Sequence, residues 1–256
     1  MSRVLTRLAK TSPADIWKFL SDPGMIPVLV SSPPSSSPID AVSRLFPDAP
    51  REQLAALRLQ FLMDHDFFRA VDQNMVPRRH RRAVWRDWYE FLYMLVRVLK
   101  PGVFVETGVF DGQSSSVILR AMEENGRGKL ISIDLPATDA IAGSTHRMLE
   151  STLPPGCNPG WVVPEYLRGR YDLRFGDARV LLPEAFKSFP EVDVFFHDSL
   201  HTYDHMYFEY TCAWPHVTPG GLVISDDIFW SRAFHQFCRE NNRPYVRVGG
   251  FGGMRK

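Results

Sequence analysis

Cysteine is scarce in this chain, long apolar runs are missing, and net charge is almost nil. Its 256 residues hold 3 cysteines, Cys157, Cys212 and Cys238, an odd number with no paired spacing. Neither a disulfide frame nor a zinc knuckle fits that pattern, so the thiols are expected to be free in a reducing, cytoplasmic setting. No stretch reaches the roughly 18 apolar residues of a membrane span. The most apolar segment, Phe91 to Leu99, is interrupted by Arg97. The opening Met1-Ser2-Arg3-Val4-Leu5-Thr6-Arg7 lacks the apolar centre of a secretory signal. No membrane partner is expected. The formal net charge of +1 also argues against a nucleic-acid partner recruited by bulk charge. No internal repeat is visible.

What is present divides in two. Residues 1–83 carry no strong strand pattern and read as a helical appendage with a Ser/Pro linker; residues 84–256 read as the main domain. Within the appendage, Pro13 to Leu20 predicts a short helix, Ser31 to Pro38 a loop, and Arg51 to Arg69 a helix with Leu54, Leu57, Phe61, Leu62 and Phe68 apolar. Such an appendage either covers a ligand site or joins two copies in a homo-oligomer. The basic run Arg78-Arg79-His80-Arg81-Arg82 is read as a solvated helix entry, because nothing else in the chain extends it into a patch. Trp85, Trp88, Leu92, Leu95, Val96 and Leu99 then recur at helical spacing, up to Lys100-Pro101-Gly102.

From Val103 onward strands and helices alternate. Strands are predicted at Val103–Glu106, Leu130–Asp134, Asp172–Phe175, Val192–Phe196 and Leu222–Ser225, with a terminal pair near Tyr245–Val248 and Gly253–Lys256. Helices are expected from Gln113, around Thr145 to Leu153, from Leu182 to Phe186, from Tyr203 to Trp214 and from Ser231 to Glu240. The fold class is α/β, a Rossmann-like, mostly parallel sheet with helices on both faces. Ligands on such sheets sit beyond the carboxyl ends of the strands. The segment Ala137 to Pro164, with His146 and Trp161, is a candidate wall for a substrate.

Acids gather at those strand ends: Glu106, Asp134, Asp177, Asp198, Asp226 and Asp227. Any one could cap a helix. Together they crowd negative charge that a hydroxyl-rich, cationic or metal-bearing ligand must answer. Between the first strand and its helix lies Glu106-Thr-Gly108-Val-Phe110-Asp-Gly112-Gln-Ser114, a glycine turn that lets a ligand approach the backbone. Asp134 follows Gly112 by 22 residues, where an acid can bond ribose hydroxyls. A nicotinamide dinucleotide remains one reading of that spacing. Phe110 stands where its fingerprint needs a middle glycine, and Glu106 would repel its diphosphate. S-adenosylmethionine (SAM), with ribose, adenine and a positive sulfonium but no phosphate, answers the acids better.

These segments resemble the class I SAM-dependent methyltransferases, and more narrowly the macrocin-type sugar O-methyltransferases with the cephalosporin-hydroxylase-like proteins. The matching residues are Glu106 to Ser114, Ile133-Asp134, Gly176-Asp177-Ala178, His197-Asp198-Ser-Leu-His201-Thr-Tyr203 and Pro219-Gly-Gly-Leu-Val-Ile-Ser-Asp226-Asp227. The resemblance spans residues 84–256. It implies that Glu106, Gly108, Gly112 and Ser114 line the methionine and ribose, that Asp134 takes the ribose hydroxyls, and that Asp177 and Ala178 face the adenine. It implies as well that Asp198, Asp226 and Asp227 bind Mg²⁺, a set of hard oxygen donors suited to that cation. Where many relatives carry a second motif aspartate this chain has Leu200, leaving His201 as the candidate base beside Asp198. The expected activity is metal-assisted O-methylation of a small-molecule hydroxyl, sugar or natural-product in type. A non-catalytic SAM-binding protein of the same fold and an NAD-dependent oxidoreductase are the alternatives.

Overall fold

The apolar runs after Lys100 fold into a single sheet because each is short, β-branched or aromatic, and bounded by turn residues. The computed structural model describes residues 25–136 and 152–256. Its strands are β1 (Val103–Thr107), β2 (Lys129–Asp134), β3 (Tyr171–Phe175), β4 (Val192–His197), β5 (Val217–Ser225), β6 (Tyr245–Val248) and β7 (Phe251–Arg255). They lie in the order β3-β2-β1-β4-β5-β7-β6. The strands β1 to β5 pair in parallel, and Phe104 sits opposite Leu130 on one side and Val194 on the other. The last hairpin reverses, with β7 antiparallel to both β5 and β6.

The helices among the described residues are α1 (Met25–Ser31), α2 (Pro38–Leu45), α3 (Arg51–Leu62), α4 (His65–Arg79), α5 (Asp87–Leu99), α6 (Gln113–Asn125), α7 (Ala178–Ser188), α8 (Tyr203–Ala213) and α9 (Ala233–Glu240). None is long and apolar enough to cross a membrane. The loop expected between Ser31 and Pro38 is present, and Ser37 ends it by capping α2 through the Asp40 amide. The single helix expected over 51–69 is instead two. Asp64 breaks it, because its carboxylate accepts the Phe67 amide as the N-cap of α4 and pairs with Arg120 at 2.6 Å. The helix expected at Pro13–Leu20 lies outside the described residues. So does the one around Thr145–Leu153, except Thr152 and Leu153, which form no helix.

Alternation along each strand divides the core between the two faces. Phe104, Leu130, Val194, Phe196, Leu222 and Ile224 point to one side, where α5, α6 and the appendage helices cover them. Val105, Ile131, Ile133, Phe195 and Val223 point to the other, against α7, α8 and α9. The appendage shares the first of these cores. Phe61 of α3 stacks on Tyr93 of α5 with ring centroids 5.0 Å apart, and Phe67, Phe68 and Trp85 pack edge-on and tilted around them. Residues 38–83 are thus joined to the sheet through α5, while Met25 and Val28 of α1 form a separate small cluster against Phe229.

Candidate active site

The strand order reverses direction between β1 and β4, and the crevice beyond their carboxyl ends is where such sheets take ligands. The glycine loop forms its floor. Gly108 donates its amide to Ile133 at 2.9 Å, and Val109 and Phe110 both donate theirs to Asp134 Oδ2 at 2.8 Å. Gly108 holds φ +79°, and a Cβ there would lie 2.0 Å from the Asp198 carbonyl oxygen. Only glycine permits that approach. The loop therefore touches the β4 end directly, and Asp198 returns the contact by donating its amide to Thr107 at 2.8 Å.

The expected cofactor residues take unequal places. Gly108 and Gly112 shape the loop; Gly112, at φ +94°, begins α6. Asp134 sits at its rim, and burial raises its carboxyl above the usual range against three amide donors. Glu106 and Ser114 depart from the expectation. Glu106 is 0% exposed, and its two oxygens accept the hydroxyls of Ser114 at 2.7 Å, Ser115 at 2.6 Å and Ser132 at 2.7 Å. Burial lifts its carboxyl to about 7 in spite of those donors. It braces β1, β2 and α6 from behind the loop, without a surface in the crevice, although its charge still reaches Asp198. Asp177 caps α7, its Oδ1 accepting the Arg179 amide at 2.8 Å, and Ala178 is buried as the first residue of that helix.

The chemistry-bearing residues meet across the switch point. Asp198 Oδ1 lies 3.8 Å from His201 Nε2, too long for a hydrogen bond and close enough for attraction. Asp198 keeps 26% of its side chain exposed. The crevice walls nevertheless raise its carboxyl well above the usual range, and the charge of Asp226, then those of Glu106, Asp227 and Asp134, add to the shift. Asp226 is pushed to about 7, first by burial and then by Asp227. The charges of Asp226 and Asp227 reach Asp198, and that of Asp227 reaches Asp226, so the three carboxylates share one electrostatic neighbourhood. Their all-oxygen chemistry fits a hard divalent cation. Among the described residues, however, no group of three or more His, Cys, Asp or Glu is already drawn into a metal-holding arrangement. Leu200 is exposed beside them.

Three further residues belong to this region and were not singled out from sequence. Tyr89, in the first turn of α5, is buried, and its phenol is raised by burial and then by the charges of Asp198 and Asp226; the Gln113 amide donates to it at 3.3 Å. Arg79, read as part of a solvated run, is the clearest correction. It ends α4, donates to Asp111 Oδ1 at 2.7 Å with the two side chains 12% and 5% exposed, and lies over the Phe110 ring at 5.1 Å. Trp161 donates its indole N–H to the same Asp111 oxygen at 2.8 Å. Trp161 therefore braces the glycine loop, whereas a substrate wall was expected; His146 lies outside the described residues. The third is Glu209 of α8, buried among His197, His205, Ser199 and Thr107. Spacing alone gives an Arg in a basic run or a Glu in mid-helix no signal.

Residues 105–228 match the sequence model of a family described as a methyltransferase domain. No curated protein sequence matches the chain. Among solved structures, the chain is similar to an SAH-bound methyltransferase of Podospora anserina, SAH being S-adenosylhomocysteine (14% identity, TM-score 0.50, covering 73% of this chain and 87% of that one). It is similar also to an O-methyltransferase of Bacillus cereus in complex with SAH (15% identity, TM-score 0.51, covering 75% and 91%). Sheet order and these likenesses show the fold, a Rossmann-like fold shared with those two methyltransferases. Within it, the stretch from Val105 to Ile228 that matches the domain model runs from the glycine loop to the paired acids after β5.

Proposed function

We propose that this protein transfers the sulfonium methyl of SAM to a hydroxyl oxygen of a small molecule. The observation that carries the reading is the contact between the glycine loop and Asp198. Gly108 lies against the Asp198 carbonyl, and Asp198 donates its amide to Thr107. A donor seated on the loop would therefore stand beside Asp198 and His201. The matched methyltransferase domain supports the same reading, and the narrower likeness to macrocin-type sugar O-methyltransferases rests on the motif residues alone.

Gly108 and Gly112 would admit the cofactor to the backbone, Asp134 would receive its ribose hydroxyls, and the turn at Asp177 and Ala178 would face its adenine; Glu106 and Ser114 would hold the loop in shape. The acceptor oxygen would attack the methyl carbon in line with the carbon–sulfur bond, whose electron pair returns to sulfur and leaves SAH. His201 would take the hydroxyl proton, with Asp198 stabilising the imidazolium that forms. Asp198, Asp226 and Asp227 would hold Mg²⁺, which when bound supplies a positive charge that acidifies the acceptor hydroxyl. The carboxylates themselves orient the acceptor and exclude competing anions.

The test is thermal stabilisation by SAM, SAH and NAD, each with and without Mg²⁺. A ligand that binds the native state selectively raises the unfolding temperature. A rise with SAM and SAH and none with NAD is expected, and a rise with NAD alone would replace the reading with the oxidoreductase. Mg²⁺ is expected to add stabilisation that Asp227→Ala removes. Once an acceptor is found, an unchanged pH–rate profile in His201→Ala would remove the base.

A further inference from the structure

A buried carboxylate lies beneath the crevice and takes no part in the reaction proposed above. Glu209, in the middle of α8, is 0% exposed. Its Oε2 lies 2.6 Å from both the Thr107 hydroxyl and His197 Nδ1. Its Oε1 lies 2.9 Å from both the Ser199 hydroxyl and His205 Nε2. Burial pushes this carboxyl upward, but the two histidines outweigh it and hold the group well below its ordinary range. An ionised carboxylate only accepts hydrogen bonds, so all four partners must donate. That fixes the proton of His197 on Nδ1 and the proton of His205 on Nε2. The Nε2 of His197, fully buried, has no hydrogen-bond partner among the described residues.

The positions of these partners matter more than their number. Thr107 immediately precedes Gly108, the first glycine of the loop, while His197 and Ser199 immediately precede and follow Asp198. His205 ties in the first turn of the helix that follows His201. One carboxylate therefore grips the residue before the cofactor loop and both neighbours of Asp198. We infer that Glu209 is a positioning residue which registers the glycine loop against Asp198 and His201, holding the methyl-donor side of the crevice to the acceptor side. The inference deepens the methyl-transfer reading and rests on it for its meaning. The network itself can be tested without any substrate.

The variant is Glu209→Gln. Glutamine keeps the volume but presents an N–H₂ group to two of the four donors, so at least part of the set must break or reverse. Amide hydrogen exchange is followed with SAH titration. Exchange is expected to accelerate together at 108–110 and at 198–201, while amides of the distant β6–β7 hairpin stay as slow as in the wild type. SAH affinity is expected to fall by about tenfold or more, the effect of losing a hydrogen bond to a charged group. Acceleration at one segment alone, at neither, or uniformly over the sheet would overturn the inference. Should Glu209→Gln not fold, Ser199→Ala keeps the carboxylate and removes one donor. It is expected to loosen 198–201 while 108–110 stays protected, and unchanged exchange at 198–201 would equally overturn it. If the wild type fails to bind SAH, the methyl-transfer reading falls, and the paired exchange response still decides the role of Glu209.

Discussion

Buried ionisation at single residues has measurable consequences. Glu106 titrates near 7 in the folded chain, against an ordinary value of 4.5, because burial penalises its charged form. An acid raised on folding favours the folded state while protonated. Its contribution is complete below about 4.5 and is lost as pH climbs through about 7. The loss amounts to about 3 kcal/mol at pH 8.5. Denaturant titrations at pH 5 and pH 8.5 are expected to show a fall in stability that is smaller by about that amount in Glu106→Gln. Asp226, which is raised, and His235, which burial lowers to about 4, are common to both proteins and cancel in the comparison, whereas the part of the Asp198 shift that the Glu106 charge causes goes with Glu106 and belongs to the same difference. Gly108→Ala is a steric counterpart. With φ +79° and a new Cβ only 2.0 Å from the Asp198 carbonyl, the loop must move. A destabilisation of about 3 kcal/mol or more by urea titration is expected, together with loss of SAH binding by calorimetry; wild-type affinity would separate the loop from the cofactor.

Elements matter through what they carry to the crevice. The α4 helix, laid down in the appendage by the Asp64 cap, ends where Arg79 can reach Asp111 and cover Phe110. Removing one partner of a buried ion pair strands the other charge, at about 3 kcal/mol. Arg79→Ala is expected to lose stability of that order in urea, and Arg79→Lys to recover less than half, since an ammonium lacks the planar fork over the ring. A loss under about 0.5 kcal/mol, the range of an ordinary surface substitution, would return the basic run to its reading as a solvated face. On the opposite side of the crevice, α8 brings Glu209 under β1 and β4. Neither contribution shows in the hydrophobic period of its helix, because periodicity reports which face is apolar and not which polar side chain turns inward.

At the scale of the whole molecule, the appendage and the sheet form one packed body over the described residues. Phe61, Phe67 and Phe68 cover α5, whose other face covers the strands. A truncation that starts at residue 84 would leave that aromatic surface in water. It is expected to associate or to lose its fixed tertiary structure, read by size-exclusion elution and near-ultraviolet circular dichroism. A monomeric, cooperatively unfolding fragment would show that the division at 83/84 is a true domain boundary.

The sequence alone determined the alternation from Val103 onward, the glycine turn at Gly108 to Gly112, and the acids at the strand ends, because all three are written in local spacing and residue type. It therefore led to the parallel sheet, to the crevice and to Asp134, Asp198, His201, Asp226 and Asp227 as its candidate residues. Tertiary structure decided the rest. It placed Glu106 behind the loop within a ring of serines, set Arg79 on Asp111, and closed Glu209 around the neighbours of Asp198. Those contacts join residues from 8 to 32 positions apart. Their partners are fixed by how the helices pack on the sheet, and burial, which sets the charge each carboxylate can hold, exists only once they have packed.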